Sequence, residues 1–110
     1  MTTDPDLLRA IGAALPEGWR VQQAASFDGI GDFDEVLQHR YLLLDLDATT
    51  FDPLEIIREA RVELMLNIPI FGFGGDAGMR AAAMQGRADR CFDRAAIADR
   101  IAAYCVEFGW

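Results

Sequence analysis

The chain has 110 residues, 52% of them apolar, and a formal charge of −8. That length and apolar share suit one packed domain, residues 1–110, and exclude both a disordered chain and one that needs metal or disulfide staples. The acidic balance excludes nucleic-acid backbones and anionic membrane surfaces as partners, since both demand a basic face. No apolar block is long enough to cross a bilayer. The first residues, Met1-Thr2-Thr3-Asp4-Pro5, lack the basic and apolar regions of a signal peptide, so a cytoplasmic location is expected. Cys91 and Cys105 sit inside apolar segments and are expected as buried thiols. With His39 as the single histidine and no CxxC, neither a zinc site nor Ser-His-Asp chemistry is expected.

In chain order, residues 4–15 predict a helix, with Leu7, Leu8, Ile11 and Leu15 at helical spacing. Thr3 or Asp4 can cap it, and Pro5 sits where a first-turn proline is tolerated. Pro16-Glu17-Gly18 ends it, and residues 19–25 alternate apolar and polar, predicting a half-buried edge strand. Residues 26–32 read as a loop; its aspartates lack the later ligands and closing Glu of a calcium hand. A short helix over 33–39 follows. Tyr41-Leu42-Leu43-Leu44-Asp45-Leu46-Asp47 is an uninterrupted apolar run ending in carboxylates, which predicts a strand covered on both faces. Asp45 and Asp47 fall on one side of it if the chain stays extended.

Pro53 opens a helix predicted to run to Asn67, and residues 68–73 predict a second apolar strand with Pro69 at its start. Gly74-Gly75-Asp76 leads into an alanine-rich helix over 77–85, stopped by Gly86. Cys91 and Phe92 mark a last short strand, and residues 95–108 a closing helix. Strict alternation of helix and strand predicts a three-layer α/β/α sandwich around a mainly parallel four-stranded sheet. Gly72-Phe73-Gly74-Gly75-Asp76-Ala77 has the form of a dinucleotide-binding turn. Asp76 would set a carboxylate against the phosphates, however, and only 17 residues follow Asp93, so a plain strand-to-helix turn is expected.

In this order of elements the chain resembles the receiver domain of two-component response regulators, the CheY-like, flavodoxin-like family, over residues 4–104. In that family the third strand ends in the aspartate that accepts a phosphoryl group, and a second Asp and a Gly follow seven and eight positions later. Asp45 stands in the acceptor place, Asp52 in the second, and Pro53 replaces the Gly. Residues 54–58 look like the family's third helix, residues 68–73 like its fourth strand, and residues 87–94 are similar to the segment leading to its lysine. The departures fall on the chemistry. The family's first strand is missing, and its acidic Mg²⁺-binding pair would fall near Thr2 and Thr3. The Ser/Thr after the fourth strand aligns with Gly74, and the lysine with Arg94.

What the resemblance then implies is a receiver-like domain that is no enzyme and needs no cofactor. It would act as a phosphorylation-independent interaction module in bacterial signal transduction, binding a protein partner or forming a homodimer. Arg94 is expected to pair with Asp45 or Asp47 and mimic the charge balance of a permanently set receiver. An open edge left by the missing strand would recruit another chain. Residues 19–25 are the favoured contact strand, with Tyr104, Val106, Phe108 and Trp110 as a second surface and residues 79–92 as a third. Two alternatives stand beside this reading. One is an active receiver phosphorylated on Asp45, with Mg²⁺ held by Asp45 and Asp47 and supported by Asp52. The other is a STAS-like anti-sigma-factor antagonist, which would begin with strands.

Overall fold

The computed structural model describes residues 1–108 of the chain. The first element is a helix, α1 (Pro5–Ala14), and no strand pair of the kind expected for a STAS-like domain precedes it among the described residues. Asp4 caps α1 by accepting from the Asp6 and Leu7 N–H groups, which would otherwise lack partners at a helix start. The same device starts α2 (Phe33–Leu37) with Asp32, α3 (Pro53–Arg58) with Asp52, and α4 (Ala77–Gln85) with Asp76. The strands are β1 (Leu42–Asp45), β2 (Ile70–Phe73) and β3 (Arg90–Phe92), and α5 (Ile97–Phe108) closes the fold. The strands form one parallel sheet in the order β1-β2-β3, with Leu42 opposite Ile70 and Phe71 opposite Arg90.

Period-two alternation sends successive side chains to opposite faces. Leu42, Leu44, Leu46 and Ile70 pack with Val36, Ile56, Ile57 and Ala83, which places α2, α3 and α4 on one face. Phe71 and Phe73 pack with Ile11, Ile97, Ile101 and Cys105, which places α1 and α5 on the other. The architecture is therefore a three-layer α/β/α sandwich with a parallel sheet. Asp45 shares its face with Leu43 and so points toward the α1 and α5 side.

Two predicted elements need correction. The sheet has three strands among the described residues, because residues 19–25 form none. Their alternation is real, but a strand exists only with a ladder partner. Trp19 is drawn instead onto Tyr41, 5.9 Å between ring centroids, in a stack that continues to Phe71 at 5.4 Å. The side chains of Gln22 and Gln23 bond to the carbonyls of Ile30 and Thr2. The residues favoured as the contact strand are therefore not a strand in this structure.

The second correction concerns the helix from Pro53, which does not run evenly to Asn67. After Arg58 it widens into a π-turn, Glu59–Glu63, in which the Leu64 N–H reaches back five residues to the Glu59 carbonyl at 2.8 Å. Met65 then takes a left-handed φ of 52° and ends the turn. Of the C-terminal surface, Val106 is exposed and Tyr104 half-buried, in ring contact with Tyr41 and Phe71. The Phe108 side chain and Trp110 lie outside the described residues. No helix among the described residues is long and apolar enough to cross a membrane.

Candidate functional site

The carboxyl ends of parallel strands are where α/β folds gather their polar side chains. Here that edge holds Asp45 at the last position of β1, Asp47 two residues on, and Arg94 just beyond β3. Asp45 is 3% exposed, the one buried acid among the described residues. The Arg94 guanidinium meets it with both forks, Nη1 donating to Oδ1 at 2.8 Å and Nη2 to Oδ2 at 3.1 Å. Such bidentate pairs are the strongest ordinary charge-assisted hydrogen bonds. The same guanidinium donates to Asp4 at 2.9 Å and to Asp47 at 3.3 Å, and lies 5.4 Å over the Phe73 ring.

Two further donors complete the coordination of Asp45. The Thr2 hydroxyl donates to Oδ2 at 2.7 Å, and the Asp47 backbone N–H to Oδ1 at 2.9 Å. A carboxylate offers about four lone-pair positions. Arg94 takes two, Thr2 one and Asp47 one, so every acceptor position on Asp45 is filled from within the chain. Burial pushes the Asp45 carboxyl up. The hydrogen bonds from Arg94, Thr2 and the Asp47 N–H outweigh that push and hold it below the usual carboxylate range. Arg94 lowers Asp4 in the same way, helped by the Leu7 N–H. Arg94 is in turn held more firmly protonated, chiefly by Asp45.

Both acids therefore bind protons less readily folded than unfolded. The stability they supply is complete above the ordinary Asp value of about 3.9 and drains away as the pH falls through their lower folded values. Asp45→Asn is expected to flatten this acid limb. Urea midpoints measured from about pH 5 to about pH 2 should fall less steeply in the variant than in the parent. Equal slopes would show that Asp45 does not carry the effect.

The glycines after β2 are explained by the same cluster. Gly74 has a φ of +71°, and a Cβ there would collide with the Asp47 carboxylate. Gly75 donates its N–H to Asp47 Oδ1 at 3.0 Å. The dinucleotide-like turn is thus packed against Asp47, and Asp76 faces the α4 N-terminus as its cap.

Of the residues singled out from the sequence, Asp45, Asp47 and Arg94 come together. Asp52 does not join them: its carboxylate caps α3 through the Leu54 N–H at 3.0 Å and takes no part in the hydrogen bonds around Asp45. Sequence reasoning missed Thr2 as a partner of Asp45 and Asp4 as a partner of Arg94. Neither had a local signal, since Thr2 lies 43 residues from Asp45 and Asp4 lies 90 from Arg94. Among the described residues no group of three or more His, Cys, Asp or Glu is disposed to hold a metal ion. Asp4, Asp45 and Asp47 are instead gathered round the guanidinium.

No protein-family model and no curated protein matches the sequence. Solved structures do match. A crystal structure of a response regulator protein from Burkholderia pseudomallei, described with a phosphorylated aspartic acid, a calcium ion and citrate, aligns with a TM-score of 0.61 at 19% identity. The alignment covers 94% of this chain and 62% of that one. The fold is that of a response-regulator receiver. This chain spans less than two thirds of the length of that response regulator, and at this identity the likeness speaks for the fold alone.

Proposed function

We propose that the domain is a pseudo-receiver: a protein-interaction module of bacterial-type signal transduction whose Asp45 site is held set by Arg94 without phosphorylation. One observation carries this reading. All the acceptor positions of Asp45 are filled by Arg94, Thr2 and the Asp47 N–H. To attack phosphorus, a carboxylate oxygen must present a free lone pair, and here that means first breaking a buried charge-assisted bond. Phosphoryl transfer rests on positioning and charge neutralisation, usually with a divalent cation beside the acceptor. In this chain the neutralising charge is already an arginine, which cannot be deprotonated at ordinary pH. The output of such a module is binding, to a second copy or to a partner protein, and the reading calls for no cofactor and no catalysis.

The second reading is an active receiver, favoured by the receiver fold and by the structural neighbour, which is described with a phosphorylated aspartic acid. It would place the phosphoryl group on Asp45, with Mg²⁺ held by Asp45 and Asp47. One assay separates the two. Incubation with acetyl phosphate and Mg²⁺, followed by intact mass measurement, is expected to leave the mass unchanged. A gain of one phosphoryl group that disappears in Asp45→Asn would overturn the pseudo-receiver reading in favour of the second.

A further inference from the structure

Between α3 with its π-turn and α4 runs a groove of about 290 Å³. Small-molecule sites run to roughly 300–1,000 Å³, so this one is sized for side chains rather than a whole ligand. Leu54, Ile57, Val62 and Ala82 line it with carbon, and Arg58 and Arg87 bring charge to it. Arg58 is already neutralised, since its guanidinium donates to both Glu55 and Glu63. Arg87 is not: its exposed side chain has no hydrogen bond or ion pair among the described residues. Its backbone is unusual as well. Arg87 has a left-handed φ of 78°, and the Ala88 N–H reaches back to the Ala83 carbonyl at 3.0 Å, a helix ending that ordinarily places glycine there. The Arg61 guanidinium braces the turn by donating to the Arg87 carbonyl at 3.1 Å and to Asp89 at 2.8 Å. A free cation therefore stands on a braced backbone beside an apolar groove, in a chain of net charge −8.

The helix α2 has the opposite character. At about 100° per residue, Val36, Phe33 and Leu37 fall on one stripe, and Asp34 borders it beside Leu37. A stripe of that width ordinarily faces a core. Here Val36 is 3% exposed while Phe33 and Leu37 are each 50% exposed, so only one side of the stripe is covered. Its surroundings are acidic: no Lys or Arg occurs between Val21 and His39. Asp28, Asp34 and Glu35 form no ion pair among the described residues. Thus α2 offers apolar side chains beside an unpaired carboxylate, and the groove offers apolar walls beside an unpaired guanidinium.

We propose that α2 of one copy docks in the α3–α4 groove of a second copy, with Phe33 and Leu37 entering the groove and Asp34 pairing with Arg87. Both surfaces lie on the face of the sheet that carries α2, α3 and α4. A two-fold axis between two such faces makes the contact twice, and so closes a dimer with no spare groove from which a filament could grow. The carboxylate–guanidinium pair sets the register, and the apolar stripe supplies the burial. A basic partner would suit α2 alone and an acidic one the groove alone; a second copy satisfies both. The proposal rests on the reading of the domain as a docking module and names its partner.

Light scattering behind size exclusion, over a concentration series of the full chain, is expected to show a reversible monomer–dimer equilibrium. Arg87→Asp and Asp34→Arg should each weaken it about tenfold or more. An equimolar mixture of the two variants sets opposite charges against each other again and should restore it. Both substitutions suit the fold, since aspartate tolerates a left-handed backbone and Asp34 is exposed. Circular dichroism at a dilution where the parent is monomeric checks this. Arg87→Gly, which suits the turn better still, should cost the dimer as much without lowering the monomer's urea midpoint. A strict monomer up to millimolar chain overturns the proposal. So does a dimer that the variants leave intact or that the mixture fails to restore. The acetyl phosphate assay is independent: phosphorylation with the dimer intact sinks the pseudo-receiver reading alone, and an unchanged mass with a strict monomer sinks this proposal alone.

Discussion

Arg94→Ala is expected to destabilise the domain by about 3 kcal/mol, because it strips the counter-ion from a buried carboxylate. Removing one partner of a buried pair generally costs about 3–5 kcal/mol. The lower end applies here, since the Arg94 side chain is 34% exposed and water can replace part of what is lost, whereas the Asp45 side chain is 4% exposed. Thr2 and the Asp47 N–H would still hold Asp45, but hydrogen bonds alone do not neutralise its charge. The double variant Arg94→Ala with Asp45→Asn should recover part of the loss, because it removes the charge that Arg94 leaves stranded. Denaturant unfolding of the parent, both single variants and the double variant closes the cycle. Strictly additive losses would show that Arg94 stabilises the fold through Asp4 and Asp47 rather than through Asp45.

Phe73→Ala is expected to cost about 4 kcal/mol, a large part of the roughly 5–15 kcal/mol by which a domain of this kind is stable. Phe73 is 0% exposed, ends β2, and lies beneath the Arg94 guanidinium while packing with the α1 and α5 face. Its truncation opens a cavity that β2, fixed between two strands, cannot collapse to fill. Val62→Ala is the matching control: Val62 is 59% exposed, and its loss should fall within about 0.5 kcal/mol. Urea midpoints with unchanged slopes would measure both, and a Phe73→Ala loss below about 1 kcal/mol would contradict the packing described.

Much of this architecture was legible because its signals are local. Continuous apolar runs at Leu42–Asp45 and Ile70–Phe73 gave the buried strands, and the helix at Ala77–Gln85 was bounded by Asp76 and Gly86. What failed depended on partners far away in the chain. Residues 19–25 carry a strand's alternation, yet alternation says nothing about whether a neighbouring ladder exists, and Trp19 found an aromatic stack instead. The π-turn at Glu59–Glu63 left the spacing of Leu54, Ile57 and Ala60 looking helical, since one extra residue per turn hardly disturbs so short a pattern. In the candidate site, Asp45, Asp47 and Arg94 could be grouped because each stands at or within two residues of the end of a recognisable strand. Thr2 and Asp4 could not, because their roles come from the path of the N-terminal residues beside β1.

The guanidinium that ties Asp45 to Asp4 also orders events during synthesis. Asp45 lies 49 residues before Arg94, and Asp4 lies 90 before it. At about 5–20 residues per second, the carboxylate leaves the ribosome roughly 2–10 s before its cation. Until then β1 has an uncompensated acid at its end, and the sheet lacks β3. Burying Asp45 therefore becomes favourable only when the last strand and the arginine behind it arrive.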